Sequence, residues 1–561
     1  MPAYQLQEVQ QNTEELPAQL EAEIRECTEV GSSYANKVKK FMAACEELLK
    51  TEIKPASCSA YLKAFDRMKQ HTIHKSVRRL AGKGKYRRPA FENQLLFLPY
   101  HPDPEIAHRF DLAAKKKDLV WDFSIPAPEQ MKRQIFQILH HVIEEEQTPK
   151  RRRKKLVFLR KFYNYCAEAE IQSIELMEIE QIEAFKKILQ KENASPRTSG
   201  IVDYARECLF MEADSIHWEA NVWYMGRFHL EAERMNPAQP IRSISFLEIA
   251  DPENRSMLKK YMRYTIGLTS LSLSNIRWEF YQVRKFLAGL PSDLDICKIS
   301  EKQIEQGLWR MEREAQTCTA ASYNDIVMAL VHFFQFLKVR SYIQEIPFQP
   351  VYFLKKEIRQ HNNRSVPEDV ELLMLRNLYR FPEEIRLMYL HLWTLGLRIS
   401  EVCTLKGNAY YIQEQDVWIQ IYQIKMKTWK KIPIPEALYQ LMQVYMKRHG
   451  IGPDGYVFSN RKGGAYQAST FRNKIQKCCE RCGIKECGYL FRSHDFRHGV
   501  ATRFYDSRVS LQSVREYLGH EYEEMTLQYV DYMPRRLDQA SEDFFSTGGS
   551  LAACLGKEVK R

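Results

Sequence analysis

The strongest constraint on the fold is a contrast in apolar periodicity along the chain. Most of the sequence repeats its apolar residues at helical spacing, as in the sets Leu438, Leu441, Met442 and Tyr445, and Ile326, Leu330, Phe333, Phe334 and Leu337. Between residues 417 and 434 the apolar residues alternate instead, at Val417, Ile419, Ile421, Ile432 and Ile434. Alternation predicts a β-hairpin, so the predicted fold class is mainly α with a small β-hairpin or sheet.

An internal repeat organises the first half of the chain. A segment near residues 121–185 is similar to one near residues 245–308, at an offset of about 124 residues. The matching groups are Ile125, Pro128-Glu129 and Arg160-Lys161-Phe162 in the first copy, and Ile249, Pro252-Glu253 and Arg284-Lys285-Phe286 in the second. The copies share apolar and basic positions but no set of nucleophile, acid and base, so we expect them to pack and bind rather than catalyse.

Breaks in the helical pattern suggest the domain boundaries. The 561 residues can bury several cores, and proline and polar residues interrupt the pattern near residues 236–240 and 347–367. We predict a basic N-terminal region of unknown fold at 1–120, helical modules at 121–240 and 245–350, a mixed α/β domain at 365–545, and a tail at 546–561.

Basic residues are clustered rather than evenly spread. Lys and Arg number 83 against 71 Asp and Glu, and the formal charge of +12 favours a polyanionic partner. Runs at residues 150–155 and 74–88 concentrate charge that could neutralise phosphates. The predicted DNA-contacting residues are Arg151, Arg152, Arg153, Arg284 and Lys285. Each run is equally compatible with a solvated helix face.

Cysteine usage and hydropathy bear on the compartment and on metals. The 13 cysteines are scattered, which is typical of reduced thiols, and no apolar stretch is long enough for a membrane span, so we expect a cytoplasmic protein without a membrane partner. Four thiols at Cys478, Cys479, Cys482 and Cys487 could bind zinc. Residues 470–482 form a continuous helical pattern, however, so we predict no metal there and leave zinc as the alternative.

Four short motifs in the last third of the chain carry cationic and imidazole side chains. Leu395-Gly396-Leu397-Arg398-Ile399-Ser400-Glu401 places Arg398 and Glu401 on one face of a helix that begins after the glycine turn. Lysines at 425, 427, 430 and 431 crowd the predicted hairpin turn, where a solvated basic turn is an equal alternative. His494-Asp495-Phe496-Arg497 puts an imidazole and a guanidinium on one helical turn, and Tyr517-Leu518-Gly519-His520 is predicted to end a helix at Gly519.

The order of these motifs, followed by Tyr529, resembles the tyrosine recombinase (phage-integrase) family. The resemblance covers roughly residues 367–545, and it is specific because five separate motifs coincide. Residues 256–346 resemble the family's helical core-binding domain in pattern alone. With its long N-terminal extension, the chain is similar to the large transposase-B type recombinases of site-specific transposons.

The resemblance implies an enzyme that cuts and rejoins DNA through a 3′-phosphotyrosyl intermediate. Tyr529 would be the nucleophile, and its spacing from His520 favours it over Tyr517, Tyr522 and Tyr532. Arg398 and Arg497 would clamp the charged phosphorane, since planar guanidinium groups bind phosphate oxygens with paired donors.

The resemblance also assigns the proton transfers and supporting contacts. His494 would accept the phenol proton, and Lys427, with Lys425 as the fallback, would protonate the departing 5′ oxygen. His520 would hydrogen-bond the scissile phosphate, and Glu401 would orient Arg398. No cofactor or metal is required.

The implied partner is double-stranded DNA, bound by a homotetramer or a hetero-assembly during integration or excision of a transposon or phage. Two alternatives remain open. A type IB topoisomerase would use the same chemistry without exchanging strands, and an accessory subunit of a transposase set would bind DNA without cutting it.

Overall fold

The computed structural model describes residues 95–98, 105–106, 109–110, 120–123, 125–145, 148–192, 196–315, 318–357, 364–484 and 488–520. These residues are mainly helical with three small antiparallel sheets, which confirms the predicted class. The predicted nucleophile Tyr529, the basic run 74–88 and the tail 546–561 lie outside the described residues. Within the described part, no helix is long and apolar enough to cross a membrane.

The chain divides into two compact units. The first comprises residues 1–229, 243–259 and 291–293, and the second comprises residues 230–242, 260–290 and 294–561. The finer division into five regions stays a prediction.

In its described residues the first unit contains four complete α-helices and two short strand pairs. Its helices are α1 (Glu129–Glu145), α2 (Pro149–Glu168), α3 (Ile179–Lys191) and α4 (Gly200–Glu212). Strand β1 (Leu95–Phe97) pairs with β2 (Val120–Asp122), and β3 (Val222–Tyr224) pairs with β4 (Ser243–Ser245). The apolar residues that recur along α1, including Ile135, Leu139 and Val142, are fully buried, as helical periodicity requires.

Four further helices follow along the chain, and they correspond in order to α1, α2, α3 and α4. They are α5 (Pro252–Leu268), α6 (Leu273–Ala288), α7 (Glu301–Glu314) and α8 (Ala320–Val339). The start of α3 and the start of α7 carry matching capping boxes, in which Gln181 and Gln303 bond back to the backbone N–H of Glu178 and Ser300. The corresponding helices therefore recur in the order and with the local chemistry that the sequence repeat suggested.

Between residues 364 and 520 the described part of the second unit combines seven α-helices with one sheet. The helices are α9 (Glu368–Asn377), α10 (Glu383–Leu395), α11 (Ile399–Cys403), α12 (Glu436–His449), α13 (Ala468–Arg481), α14 (Ser493–Asp506) and α15 (Leu511–Leu518). The sheet has the order β5 (Tyr410–Gln413), β6 (Asp416–Gln423) and β7 (Thr428–Pro433). Helix α10 packs against α14 and α11, and α11 packs against β6.

The predicted β-hairpin is confirmed, but its basic turn is shorter than expected. In the β6–β7 register Ile419 faces Ile432 and Ile421 faces Lys430, so Lys430 lies within a strand rather than in the turn. Exposed and buried residues alternate along β7, and Lys430 shares the buried face with Ile432. Lys427 occupies the turn itself, with a left-handed φ of 53°.

Candidate active site

Two helix ends bring Arg398 and Glu401 together. Gly396 ends α10 in the left-handed conformation, with φ 62°, and Arg398 is the N-cap residue of α11. The backbone N–H of Arg398 donates to Glu401 Oε2 at 2.9 Å, and its guanidinium Nη1 donates to Oε1 at 2.9 Å. The predicted ion pair at the start of the helix is therefore present, and its carboxylate is buried at 1% exposure.

Arg497 is fully buried at the centre of the same site. From α14 its Nη1 donates to Gly396 O at 3.0 Å and its Nη2 donates to Leu518 O at 2.5 Å. Nη2 also lies 2.8 Å from His520 Nε2. One guanidinium thus joins the glycine turn before Arg398 to the end of α15.

The turn after α15 determines where His520 lies. Gly519 ends this helix with φ 69°, as the sequence predicted, and its N–H donates to Arg515 O and Glu516 O. A Cβ on Gly519 would stand 2.4 Å from both the Nε2 and the Oε1 of Gln423. Glycine is therefore needed here for backbone conformation and for close packing against β6.

Gly519→Ala is expected to lower the free energy of unfolding by about 1–3 kcal/mol through left-handed strain, and further through the clash with Gln423. Thermal or denaturant unfolding of the full chain measures the effect. Gly450→Ala is the matched control, because Gly450 also ends a helix at φ 62° but has open space where a Cβ would stand. Equal losses in the two variants would contradict the role of the Gln423 contact.

Two residues that the sequence did not single out complete the site. Gln423, at the end of β6, donates from Nε2 to Glu401 Oε1 at 3.2 Å and to Leu518 O at 3.3 Å. Lys430 Nζ lies 3.9 Å from Glu401 Oε2 and 3.5 Å from Leu518 O. The alternation that identified Ile432 and Ile434 as inward-facing also places position 430 on the buried face, and this signal could have found Lys430.

Cations outnumber carboxylates among the described side chains that meet at Glu401. We call Arg398, Lys430, Arg497 and Glu401 the cationic cluster, which holds three cations and one carboxylate. Burial acts to raise the pKa of Glu401, but Lys430, Arg497 and Arg398 outweigh it and hold that pKa below its usual value. With its lysine protonated, the cluster carries two formal positive charges in a desolvated place, which is costly unless an anion joins them.

Both histidines beside the cluster are neutral at physiological pH. Burial lowers the pKa of His520 to about 2, assisted by Arg497, Arg398 and Lys430. Partial burial and the neighbouring charges, Arg497 first among them, also lower the pKa of His494 below 6.5, although its side chain is accessible at the start of α14. An accessible neutral imidazole can accept a proton.

The structure does not bring Lys427 to the cationic cluster. Lys427 and the fallback Lys425 are exposed on the β6–β7 turn. Tyr517, one alternative nucleophile, packs edge-on against Phe504 with ring centroids 4.8 Å apart, and burial raises the pKa of its phenol. Tyr522, Tyr529 and Tyr532 lie outside the described residues.

The predicted DNA-contacting residues differ in exposure. Arg151 and Arg153 are exposed on α2, but Arg152 is buried with its guanidinium 5.7 Å from the centre of the Phe110 ring. The expectation that Arg152 meets phosphate is therefore wrong, because helical periodicity turns it inward between two exposed neighbours. On α6, Lys285 pairs with Glu314 at 3.0 Å, and Arg284 lies over the rings of Phe280 and Tyr281.

Two groups of possible metal ligands are engaged in packing and hydrogen bonds. Cys478 and Cys479 are buried in the continuous helix α13, and burial raises the pKa of both thiols. Cys487 lies outside the described residues. Ligand atoms of His141, Cys208 and Glu212 lie within 4.8 Å of one another, but the histidine pairs with Glu212 and the thiol, with a pKa raised by burial, donates to the same carboxylate. We interpret this group as a hydrogen-bonded packing cluster.

Comparisons with known proteins point to the part of the chain that holds the cationic cluster. Residues 366–536 match the model described as the Phage integrase family. Transposase B from transposon Tn554 of Staphylococcus aureus is 27% identical over 342 residues, covering 56% of this chain and 51% of that protein. The chain thus spans about half the length of this relative.

Further matches cover nearly the whole of shorter proteins. A tyrosine recombinase of Pseudothermotoga lettingae is 24% identical over 286 residues, covering 49% of this chain and 93% of that protein. A solved structure of the XerH site-specific recombinase bound to palindromic difH substrate is 18% identical, with a TM-score of 0.40, covering 60% of this chain and 96% of that one.

Proposed function

We propose, from the match of residues 366–536 to the model described as the Phage integrase family, that the chain is a site-specific DNA recombinase that cuts and rejoins strands through a 3′-phosphotyrosyl intermediate. The observation that carries the proposal is the cationic cluster, in which Arg398, Lys430 and Arg497 surround a single buried carboxylate next to His520. The curated relative named as a transposase supports integration and excision of a mobile element as the outcome.

The charge of the cluster suits a phosphodiester that becomes a phosphorane. The ground-state phosphate carries one negative charge and the pentavalent transition state carries two on its non-bridging oxygens. Cations that meet in a buried site therefore bind the doubly charged transition state more strongly than the singly charged substrate. Arg398 and Arg497 supply paired donors for these oxygens, and His520 is a further hydrogen-bonding partner.

The reaction conserves atoms and bonds. The phenol oxygen of Tyr529 forms a bond to phosphorus, its proton passes to His494, and the bond from phosphorus to the 5′ oxygen breaks. Lys427 protonates the leaving oxygen, which requires the exposed β6–β7 turn to close on bound DNA. A 5′ hydroxyl of another strand reverses the steps, so no high-energy cofactor is consumed.

We propose that specificity and assembly rest on regions outside this site. On α2 the exposed Arg151 and Arg153 are suited to contact the phosphate backbone of DNA. On α6 the side chains of Tyr281, Arg284 and Lys285 are suited to the same role. Exchange between two duplexes needs four cleavage sites, which a homotetramer or a hetero-assembly provides. We propose a cytoplasmic location, because the enzyme has to reach its DNA substrate.

A suicide substrate tests the proposal directly. Nicked duplexes tiled over the DNA that flanks the encoding gene lose a short 5′-hydroxyl fragment on cleavage, which prevents religation. We expect one duplex to become covalently attached to the full chain, with peptide mapping locating the attachment at Tyr529. DNA binding without covalent attachment by any duplex would support an accessory subunit, and relaxation of supercoils without strand exchange would support a topoisomerase.

A further inference from the structure

Lys430 is buried although its neighbours along the strand are exposed. It is flanked on β7 by the exposed residues Trp429 and Lys431, yet only 7% of its own surface is accessible. Its neighbour across the hairpin is the buried Ile421. A lysine on the core face of a sheet costs free energy unless its ammonium is paired, so its retention there calls for specific contacts.

Lys430 contacts two groups that also bind the arginines of the site. Nζ lies 3.9 Å from Glu401 Oε2, on the carboxylate that holds Arg398, and 3.5 Å from Leu518 O, the carbonyl to which Arg497 donates. The Leu518 carbonyl stands two residues before His520. One ammonium therefore bridges the element that carries Arg398 and the turn that carries His520.

We propose that Lys430 is a positioning residue of the strand-cleavage reaction, which holds Glu401 and the Leu518–His520 turn in place and supplies the third positive charge of the cationic cluster. The inference rests on the proposed function and deepens it. Lys430 has a different task from Lys427, because its ammonium is directed to the buried carboxylate and carbonyl, whereas the exposed turn leaves Lys427 free to approach a leaving group.

The surroundings of Lys430 make its charge sensitive to pH. The pKa of Lys430 is lowered to about 8, mainly by burial, with Glu401 opposing the shift and Arg497 and Arg398 adding to it. Within the described part of the chain, Gln423 shares the Leu518 carbonyl with Lys430, and the neutral His520 is near enough to feel its charge. The cluster therefore carries two net positive charges below that pKa and one above it, and its attraction for a phosphate falls as the pH rises.

The experiment measures single-turnover formation of the covalent complex from pH 6 to 9.5, with the full chain and the suicide duplex identified above. At sub-saturating protein the apparent second-order rate reports ionisations of the free protein, so we expect an alkaline decline near the pKa of Lys430. At saturation the bound phosphate favours the ammonium, and the decline should move to higher pH.

Variants assign the decline to this residue. Lys430→Met is expected to reduce the second-order rate roughly 100-fold at pH 6.5 and to remove the decline near pH 8. Lys430→Arg keeps the charge and is expected to recover part of the rate, also without the decline. Lys431→Met is the matched control, since Lys431 is the exposed neighbour on the same strand, and it should keep the wild-type profile.

A duplex with a sulfur atom at the bridging 5′ position separates positioning from proton donation. Its thiolate leaves without needing a proton, so it should rescue Lys427→Ala but leave Lys430→Met slow. Rescue of Lys430→Met would make Lys430 the proton donor and overturn the proposal. So would a Lys430→Met rate and pH profile equal to those of Lys431→Met. Failure of the wild-type chain to attach to any duplex would instead reject the proposed function itself.

Discussion

Tyr529→Phe is expected to abolish covalent attachment to DNA while leaving DNA affinity unchanged. The substitution removes one phenol oxygen, which is the atom that would form the bond to phosphorus, and keeps the ring. Without that oxygen the covalent bond to phosphorus cannot form at this position. The attached fraction of a suicide duplex on a denaturing gel measures the loss, and a mobility shift of intact duplex measures the affinity.

Tyr532→Phe and Tyr522→Phe are the matched controls for this variant. Both tyrosines lie within seven residues of position 529 along the chain, and both variants should retain attachment. Attachment by Tyr529→Phe at the wild-type level would refute the assignment of the nucleophile. Loss in Tyr532→Phe alone would move the assignment by three residues.

Arg497→Met is expected to lower the cleavage rate by roughly 1000-fold or more, in the range found when a main transition-state donor is removed. It should also destabilise the second unit by about 1–3 kcal/mol, because Gly396 O loses its buried side-chain donor, whereas Leu518 O keeps Gln423 and Lys430 as partners. Single-turnover cleavage and denaturant unfolding measure the two effects. Methionine keeps an unbranched apolar chain as far as the position of Nε, so the substitution removes the guanidinium head with its charge and hydrogen bonds.

Arg503→Met provides the comparison on the same helix. Arg503 pairs with Glu371 at 3.2 Å and donates to Trp393 O, but it has no contact with Glu401, Leu518 or His520 among the described residues. Its removal should cost about 1 kcal/mol or less and leave cleavage within a few-fold of wild type. Cleavage by Arg497→Met within tenfold of wild type would show that the buried guanidinium is structural.

The two arginines of the site have different surroundings, and this explains why their loss should differ. Arg398 is tied to Glu401 through its side chain and its backbone N–H, so its position depends on the helix start. Arg497 is held by two carbonyls from separate turns, each built on a left-handed glycine. Removing Arg497 therefore removes a hydrogen bond from the Gly396 turn and another from the Gly519 turn, whereas removing Arg398 affects only the start of α11.

Element types and the site motifs were predictable because they depend on local chemistry. Helical periodicity, alternation at residues 417–434, and the helix-ending turns at Gly396 and Gly519 involve residues close together in the chain, and all are present as predicted. The strand β5 was not predicted, since its four residues lack alternation and are paired only through β6. The prediction that Arg152 contacts phosphate was wrong because a run of consecutive basic residues does not indicate which side chain points into the core.

The order of the motifs and their resemblance to the tyrosine recombinase family assigned Arg398, Glu401, His494, Arg497 and His520 to one set, since local spacing does not by itself bring separate motifs together. The roles of Lys430, Gln423 and the Leu518 carbonyl depended on the fold. These groups come from the sheet and from the end of α15, nearly 100 residues apart in the chain, and they meet at Glu401 only when β6, α11 and α15 pack together. Composition records how many charges a chain carries, but burial and pairing determine which of them act together.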